Sequence, residues 1–343
     1  MLSQKSLTEK ERQDGMYVLE QCMGFVWQAA LRTAALLRVA DHLKDEDKTA
    51  EQLAHELNVD AGYLYRVMRT LASREVFSMT DDGLFTLTPA AQFLRSDTPY
   101  SLREAVLMLT DKTLWQPAGE MTDIVKGRPV FNELFGMPFY EYWGTKKTPS
   151  GDDGFHAGMA SMSSVENDML ADNYHFPENA TVVDIAGGLG NLLLTVLRRN
   201  PTLHGILFDR HNVVSENSLH LLGNKSRWET IAGSFFEACP VADIYMLKYI
   251  LMDWPDEKAS QILQTCRKAM KASSRLLILE PLIKEQDNEQ GRYEIDLLLL
   301  SGFDGGRART EKEYADLLGH AGLKINRVIH TPSYLSIVEA VPA

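Results

Sequence analysis

Val182-Val183-Asp184-Ile185-Ala186-Gly187-Gly188-Leu189-Gly190 runs an apolar strand into a glycine-rich turn, and Asn191 to Arg199 then reads as a helix. Glycines without Cβ atoms let backbone N–H groups approach a ligand closely, and the positive end of the following helix favours a negative group such as an amino-acid carboxylate. Nineteen residues after Gly190, Asp209 ends the next apolar run, where a carboxylate accepts both hydroxyls of a ribose. The spacing is G-G-x-G, which departs from the G-x-G-x-x-G of dinucleotide sites, and nothing matches the Lys-Ser/Thr of a phosphate loop. A structural turn without a ligand is the competing reading; Asp209 weighs against it.

Outward from this stretch, strands alternate with helices. Thr181–Ile185, Gly205–Asp209, Thr230–Ala232, Asp243–Lys248, Leu276–Glu280, Lys324–His330 and Leu335–Val341 are the predicted strands of a doubly wound α/β sheet. The last two are joined only by Thr331-Pro332-Ser333-Tyr334, which predicts an antiparallel pair at the sheet edge and sets the fold apart from a plain dinucleotide-binding one. Residues 180–343 form this domain. Residues 110–179 read as a helical linker whose aromatics, among them Trp115, Phe139 and Trp143, roof a pocket.

Residues 1–109 have a different grammar. Val18, Cys22, Phe25, Val26, Leu31, Ala35, Leu36, Val39 and Leu43 recur at three- and four-residue spacings, the mark of amphipathic helices. Thr49 and Gln52 form a capping box ahead of one helix, Asn58-Val59-Asp60 turns into a second, and Val76 to Leu87 around Asp81-Asp82-Gly83 reads as a hairpin. Together they predict a winged helix. Such a unit binds DNA or serves as a dimerisation scaffold. Residues 1–100 carry 11 basic against 15 acidic side chains, which argues against phosphate neutralisation and for dimerisation.

The whole chain of 343 residues carries a net charge of −12, so nucleic acid and anionic membranes are poor partners. Cys22, Cys239 and Cys266 fit neither a disulfide framework nor a zinc pattern and read as reduced core thiols, with no metal implied. The polar start, Met1 to Gly15, and the lack of a long apolar run predict a cytoplasmic protein.

Several ordered motifs resemble a known family. Val183 to Gly190, Leu207-Phe208-Asp209, Gly233-Ser234-Phe235-Phe236, Leu247 to Glu257 and Gly305 to Thr310 are similar to the motifs of plant-type and bacterial small-molecule O-methyltransferases, and the likeness covers nearly the whole chain. It implies a Rossmann-like class I methyltransferase sheet, an N-terminal winged-helix dimerisation domain, S-adenosylmethionine as cofactor, and a homodimer of natural-product or other specialised metabolism in which each subunit lends its partner a helix. By the same resemblance Gly187, Gly188 and Gly190 hold the methionine portion and Asp209 the ribose. Ser234 and Phe235 take the adenine, Lys248 closes over it, and Ser163 lies near the cofactor carboxylate. Ser234 departs from the family's usual aspartate. Phe155 and Met159 fall in the segment that packs on the acceptor ring; Met108, Trp115, Met252 and Phe303 complete an aromatic and methionine-rich substrate lining, a composition that core packing also explains.

The family's general base is a histidine just before Asp-Trp, and here that residue is Met252. The carboxylate that orients it, before Arg-Thr, is Ala308, so only Glu280 matches the remaining catalytic member. A phenol of pKa near 10 is ionised to about one part in a thousand at pH 7, and a positioned base contributes roughly 10²–10⁴ in rate. Methionine supplies none of that. Methylation of an acidic hydroxyl, a carboxylate or a ring nitrogen remains open, as does catalysis by proximity alone. His156 is a substitute base if it faces the acceptor and a structural histidine otherwise. Relatives without the histidine include nitrogen methyltransferases and enzymes that keep the cofactor for hydroxylation, decarboxylation or pericyclic ring closure. A catalytically silent dimeric binding protein is the remaining alternative.

Overall fold

Thr49 accepts a hydrogen bond from the Gln52 amide while the Gln52 side chain takes the Thr49 amide, so the helix Ala50–Leu57 starts where its capping box predicts. Asn58, in the left-handed region at φ 54°, stops it, and Asp60 caps the next helix, Ala61–Ala72. The strands β1 (Phe77–Met79) and β2 (Phe85–Leu87) pair antiparallel as the wing. Val39, Leu53, Met68, Phe77 and Phe85 are the centre of the core that holds these elements together.

The computed structural model describes residues 7–146, 154–284 and 292–343. It divides into two units, Met1–Thr110 and Asp111–Ala343. In the first, the helix Glu9–Gln21 buries no residue, and Met16, Tyr17, Val18 and Leu19 are each more than half exposed. A thirteen-residue helix with no packed face has little stability of its own in water. The cysteines require a correction: all three are free thiols, but only Cys266 is buried, Cys239 is half-buried, and Cys22 is exposed beside the same unburied helix.

The second unit is built on β3 (Thr181–Ile185), β4 (His204–Asp209), β5 (Trp228–Ala232), β6 (Ile244–Lys248), β7 (Arg275–Ile283), β8 (Arg309–Thr310), β9 (Leu323–His330) and β10 (Leu335–Pro342). The strand order is 5-4-3-6-7-10-9, parallel as far as β7, with β10 inserted antiparallel between β7 and the edge strand β9. Strand β7 continues to Ile283, beyond the predicted Glu280, because Leu282 and Ile283 pair with β8, a two-residue strand that no sequence pattern marks. Alternate residues feed two cores on opposite faces: Val183, Ile185 and Ile278 on one, Val182, Leu277 and Leu279 on the other. The helices Lys112–Gly119, Met121–Val125, Val130–Phe135, Phe139–Gly144 and Gly154–Asn173 belong to this unit.

The chain leaves β3 for β4 and β5 on one side and returns to β6 on the other. The carboxyl ends of β3 and β6 therefore flank the switch point, where ligands of open α/β sheets bind. Among the described residues no helix is long and apolar enough to cross a membrane.

Candidate functional site

The turn after β3 has a steric reason for its glycines. A Cβ on Gly187 would stand 2.6 Å from the Asp184 carboxylate and 2.7 Å from Leu207, and Gly188 has φ 58°. The Gly188 amide donates to Asp209 Oδ2 at 2.9 Å, and the Arg210 amide to Oδ1 at 2.7 Å, so the tip of β4 is tied to the turn. Gly190, with φ 80°, starts the helix Asn191–Arg199. Beneath the turn Asp184 is buried, and among the described residues its Oδ2 has no hydrogen-bond partner. Burial pushes its pKa up to about 7, against the pull of Lys248 and with the push of Asp209.

Along β5's exit, a Cβ on Gly233 would stand 2.6 Å from the Phe208 ring, which keeps the chain close to β4. Ser234 accepts from the Phe236 amide at 3.3 Å, and Phe235 lies with its ring centre 4.7 Å from Phe236 and 6.2 Å from Trp254.

Lys248 ends β6, and its position corrects an expectation. The resemblance places it over the adenine; its ammonium is instead committed to the helix Gly154–Asn173, bonding Ser163 Oγ at 2.8 Å, Asn167 Oδ1 at 3.0 Å and the Glu166 carboxylate at 2.9 Å. Ser163, Glu166 and Asn167 are one, three and four steps apart on a single helical face, so one side chain meets all three. A buried ammonium needs such partners, since burial lowers its proton affinity and Glu166 opposes that. Tyr249, at φ 57°, gives its hydroxyl to the other Glu166 oxygen at 2.7 Å.

Met252 lies on the 3₁₀ turn Leu251–Asp253 and is buried in one apolar cluster with Leu299 and Ala308, with Tyr249, Ile283, Ile295 and Phe303 packed against it. Met252 and Ala308, the two positions at which the resemblance implies polar residues, thus share one cluster. The third, Glu280, requires a correction as a catalytic candidate. Its Oε1 accepts from the amides of Ile250, Leu251 and Met252 at 2.9, 2.6 and 3.3 Å, and Oε2 accepts the Tyr314 hydroxyl. At 1% exposure, with hydrogen bonds at both oxygens, it anchors the Met252 turn. Arg309, fully buried, ties the same turn through Leu251 O, Trp254 O and Asp256. The Asp296 carboxylate holds the Ala308 amide at 2.8 Å.

His156 sits between the aromatic wall and the turn after β3. Its ring packs edge-on to Phe155, and a Cβ on Gly188 would stand 4.0 Å from its Nδ1, so it faces the glycine turn. Phe155 and Phe303 belong to an aromatic group with Phe139 and Tyr140: Phe139 lies 4.3 Å from Phe303, and Phe155 5.5 Å from Tyr140. Met159 is half-buried on the helix of Phe155 and Ser163. Two predicted lining residues behave differently. Trp115 is 47% exposed on its helix, and Met108 is buried within the N-terminal unit. Tyr140, which sequence reasoning missed, donates its hydroxyl to Asp253 from 113 residues away. No local pattern announces a pairing at that separation.

The geometry fits S-adenosylmethionine. A turn that admits no Cβ, a buried carboxylate beneath it with one oxygen unpartnered among the described residues, and a second carboxylate at the tip of β4 match an amino-acid portion carrying an ammonium and a ribose.

Comparison with known proteins gives the class. An O-methyltransferase domain matches residues 118–324, and an O-methyltransferase dimerisation domain residues 19–97. A phenazine O-methyltransferase of Lysobacter antibioticus is 35% identical over 95% of both chains. Among solved structures, CalO1, a methyltransferase in calicheamicin biosynthesis solved in its SAH-bound form, is 36% identical. It covers 98% of this chain and 100% of its own with a TM-score of 0.89. RosA of Streptomyces davawensis, an N,N-8-amino-8-demethyl-D-riboflavin dimethyltransferase, is 27% identical. It covers 98% of this chain and 100% of its own, with a TM-score of 0.77. The chain belongs to the O-methyltransferase family. Its reaction class is S-adenosylmethionine-dependent methyl transfer.

Proposed function

We propose that this enzyme methylates a hydroxyl or nitrogen of a small aromatic or heterocyclic specialised metabolite, and does so without a histidine base. The observation that carries this reading is the apolar cluster of Met252, Leu299 and Ala308, which stands where the resemblance implies a polar pair. Bound S-adenosylmethionine supplies an electrophilic methyl group on a sulfonium. The turn Gly187, Gly188 and Gly190 would hold its methionine portion, Asp209 its ribose, Ser234 and Phe235 its adenine. Ser163, fixed by Lys248, would meet the carboxylate end. Phe155, Met159, Met252 and Phe303 would form the acceptor wall, and aromatic faces of this kind stack on flat rings.

The relatives support both acceptor types. The Lysobacter enzyme is named for O-methylation of a phenazine, CalO1 for calicheamicin biosynthesis, and RosA for dimethylation of an amine. An amine nitrogen attacks through its lone pair and needs no prior deprotonation when neutral. The N-terminal unit would pair two copies, given its match to the family's dimerisation domain.

Calorimetry with S-adenosylhomocysteine tests the cofactor assignment: the wild type binds, and Asp209→Ala weakens binding at least tenfold, about 1.4 kcal/mol or more. Binding of NAD in its place, with no heat from S-adenosylhomocysteine, would overturn it. Methyl incorporation across a panel of aromatic phenols, hydroxy acids and amines then separates the acceptor classes.

A further inference from the structure

Met252, Asp253 and Trp254 are consecutive, yet their side chains go to three places. Met252 enters the apolar cluster against which Phe303 packs. Trp254 stacks edge-on to Phe236 at 5.0 Å and to Phe235 at 6.2 Å, on the adenine side. Asp253, between them, meets the Tyr140 hydroxyl. The ring of Tyr140 lies 5.5 Å from Phe155 and 5.6 Å from Phe303, both of the acceptor wall. Its hydroxyl also feels the charges of Asp209 and Arg210 at the tip of β4. The Tyr140–Asp253 pair therefore stands on the seam between the acceptor wall and the cofactor residues.

We propose that Asp253, held by Tyr140, is the group that takes the proton of an acceptor hydroxyl in this enzyme. This rests on the methyltransferase reading above. Glu280 is almost fully buried and bonded by three amides and the Tyr314 hydroxyl, and Asp209 is taken by the ribose in the reading above. Asp253 accepts from Tyr140 through Oδ2, and among the described residues Oδ1 receives no hydrogen bond. The acceptor O–H bond breaks, its electron pair stays on oxygen, and the proton moves to Oδ1. Tyr140 keeps its own proton and its bond to Oδ2, and the neutral carboxylic acid returns the proton to water after product leaves. Burial raises the proton affinity of Asp253; the Tyr140 hydrogen bond lowers it, and the charge of Glu280 on β7 raises it. A carboxylate so adjusted is a better base near neutrality than an exposed one.

The bland alternative is a tether that pins the helix Phe139–Gly144 to the turn. Asp253→Asn keeps an acceptor for Tyr140 and removes the base, so it separates the two. The probe is 3-nitrophenol, a weaker acid than its 4-isomer, whose anion absorbs at longer wavelength than the phenol, bound to protein saturated with S-adenosylhomocysteine. About two pH units below its own pKa, roughly 1% is ionised in water. On the wild type the anion fraction of bound probe rises about tenfold; on Asp253→Asn it stays at the solution value. With Tyr140→Phe the anion appears only at higher pH, because Asp253 then holds its own proton more tightly, an effect that a tether does not produce. An unchanged anion signal in Asp253→Asn overturns the assignment. So does a wild type that leaves the probe unionised or does not bind it at millimolar concentration. Calorimetry on the same samples distinguishes the failures: S-adenosylhomocysteine binding without probe ionisation sinks the pair alone, and no S-adenosylhomocysteine binding sinks the methyltransferase reading.

Discussion

Met252 and Ala308, 56 positions apart in the chain, share one buried apolar cluster, at 5% and 8% exposure. Both side chains are apolar, so neither brings a buried polar group into the cluster that would need a partner.

Restoring the polar pair is accordingly expected to harm the protein. Met252→His with Ala308→Glu places two titrating groups in an apolar cluster and should lower unfolding stability by about 1–3 kcal/mol. Turnover of an acceptor identified from the panel should stay level or fall across the neutral range. A gain of about tenfold or more, the low side of what a general base contributes, would show Met252 to be a damaged site and not an adapted one.

Glu280 is expected to behave as an anchor. Glu280→Ala leaves three turn amides and the Tyr314 hydroxyl without their acceptor and should cost about 3–5 kcal/mol in a denaturant melt. Glu280→Gln keeps one carbonyl oxygen for the amides and should recover most of that stability. A catalytic carboxylate would give the reverse pattern, with a stable Ala variant and an inactive Gln variant.

Asp184 gives a pH signature in the ligand-free protein. Its folded pKa, raised by burial to about 7, lies above its ordinary value of 3.8, so the folded state holds a proton that the unfolded state has released. Its contribution to stability is complete below about pH 4 and is lost as pH rises toward 7, by roughly 4 kcal/mol at most. Asp184→Asn removes this dependence. Chemical denaturation from about pH 5 to 8 should show the variant gaining on the wild type as pH rises; parallel curves would refute the assignment.

The helix Glu9–Gln21, with no buried residue, predicts association through the N-terminal unit. Light scattering should report a dimer at micromolar concentration, and Tyr17→Asp with Leu19→Asp should yield a monomer with a lower melting temperature. A wild type that is already a stable monomer would dispose of this reading.

Much of this molecule is written locally. The strand, glycine turn and helix from Val182 to Arg199, the capping box at Thr49, and the alternation of the β/α half are short-range patterns, and the folded chain follows them to within a few residues. Met252 and Ala308 are legible as departures because the motifs around them are intact. What the sequence by itself does not determine is which polar groups neutralise one another. Glu280 reads as a catalytic residue until its two oxygens are seen to be occupied by the Met252 turn and Tyr314. Lys248 reads as an adenine contact until Glu166 is seen to hold it, 82 residues away. The Tyr140–Asp253 pair has no signature in either segment. Buried charges and hydroxyls choose partners by position and desolvation, and position across tens of residues or more is set by the packing of the sheet and its helices, not by any spacing in the chain.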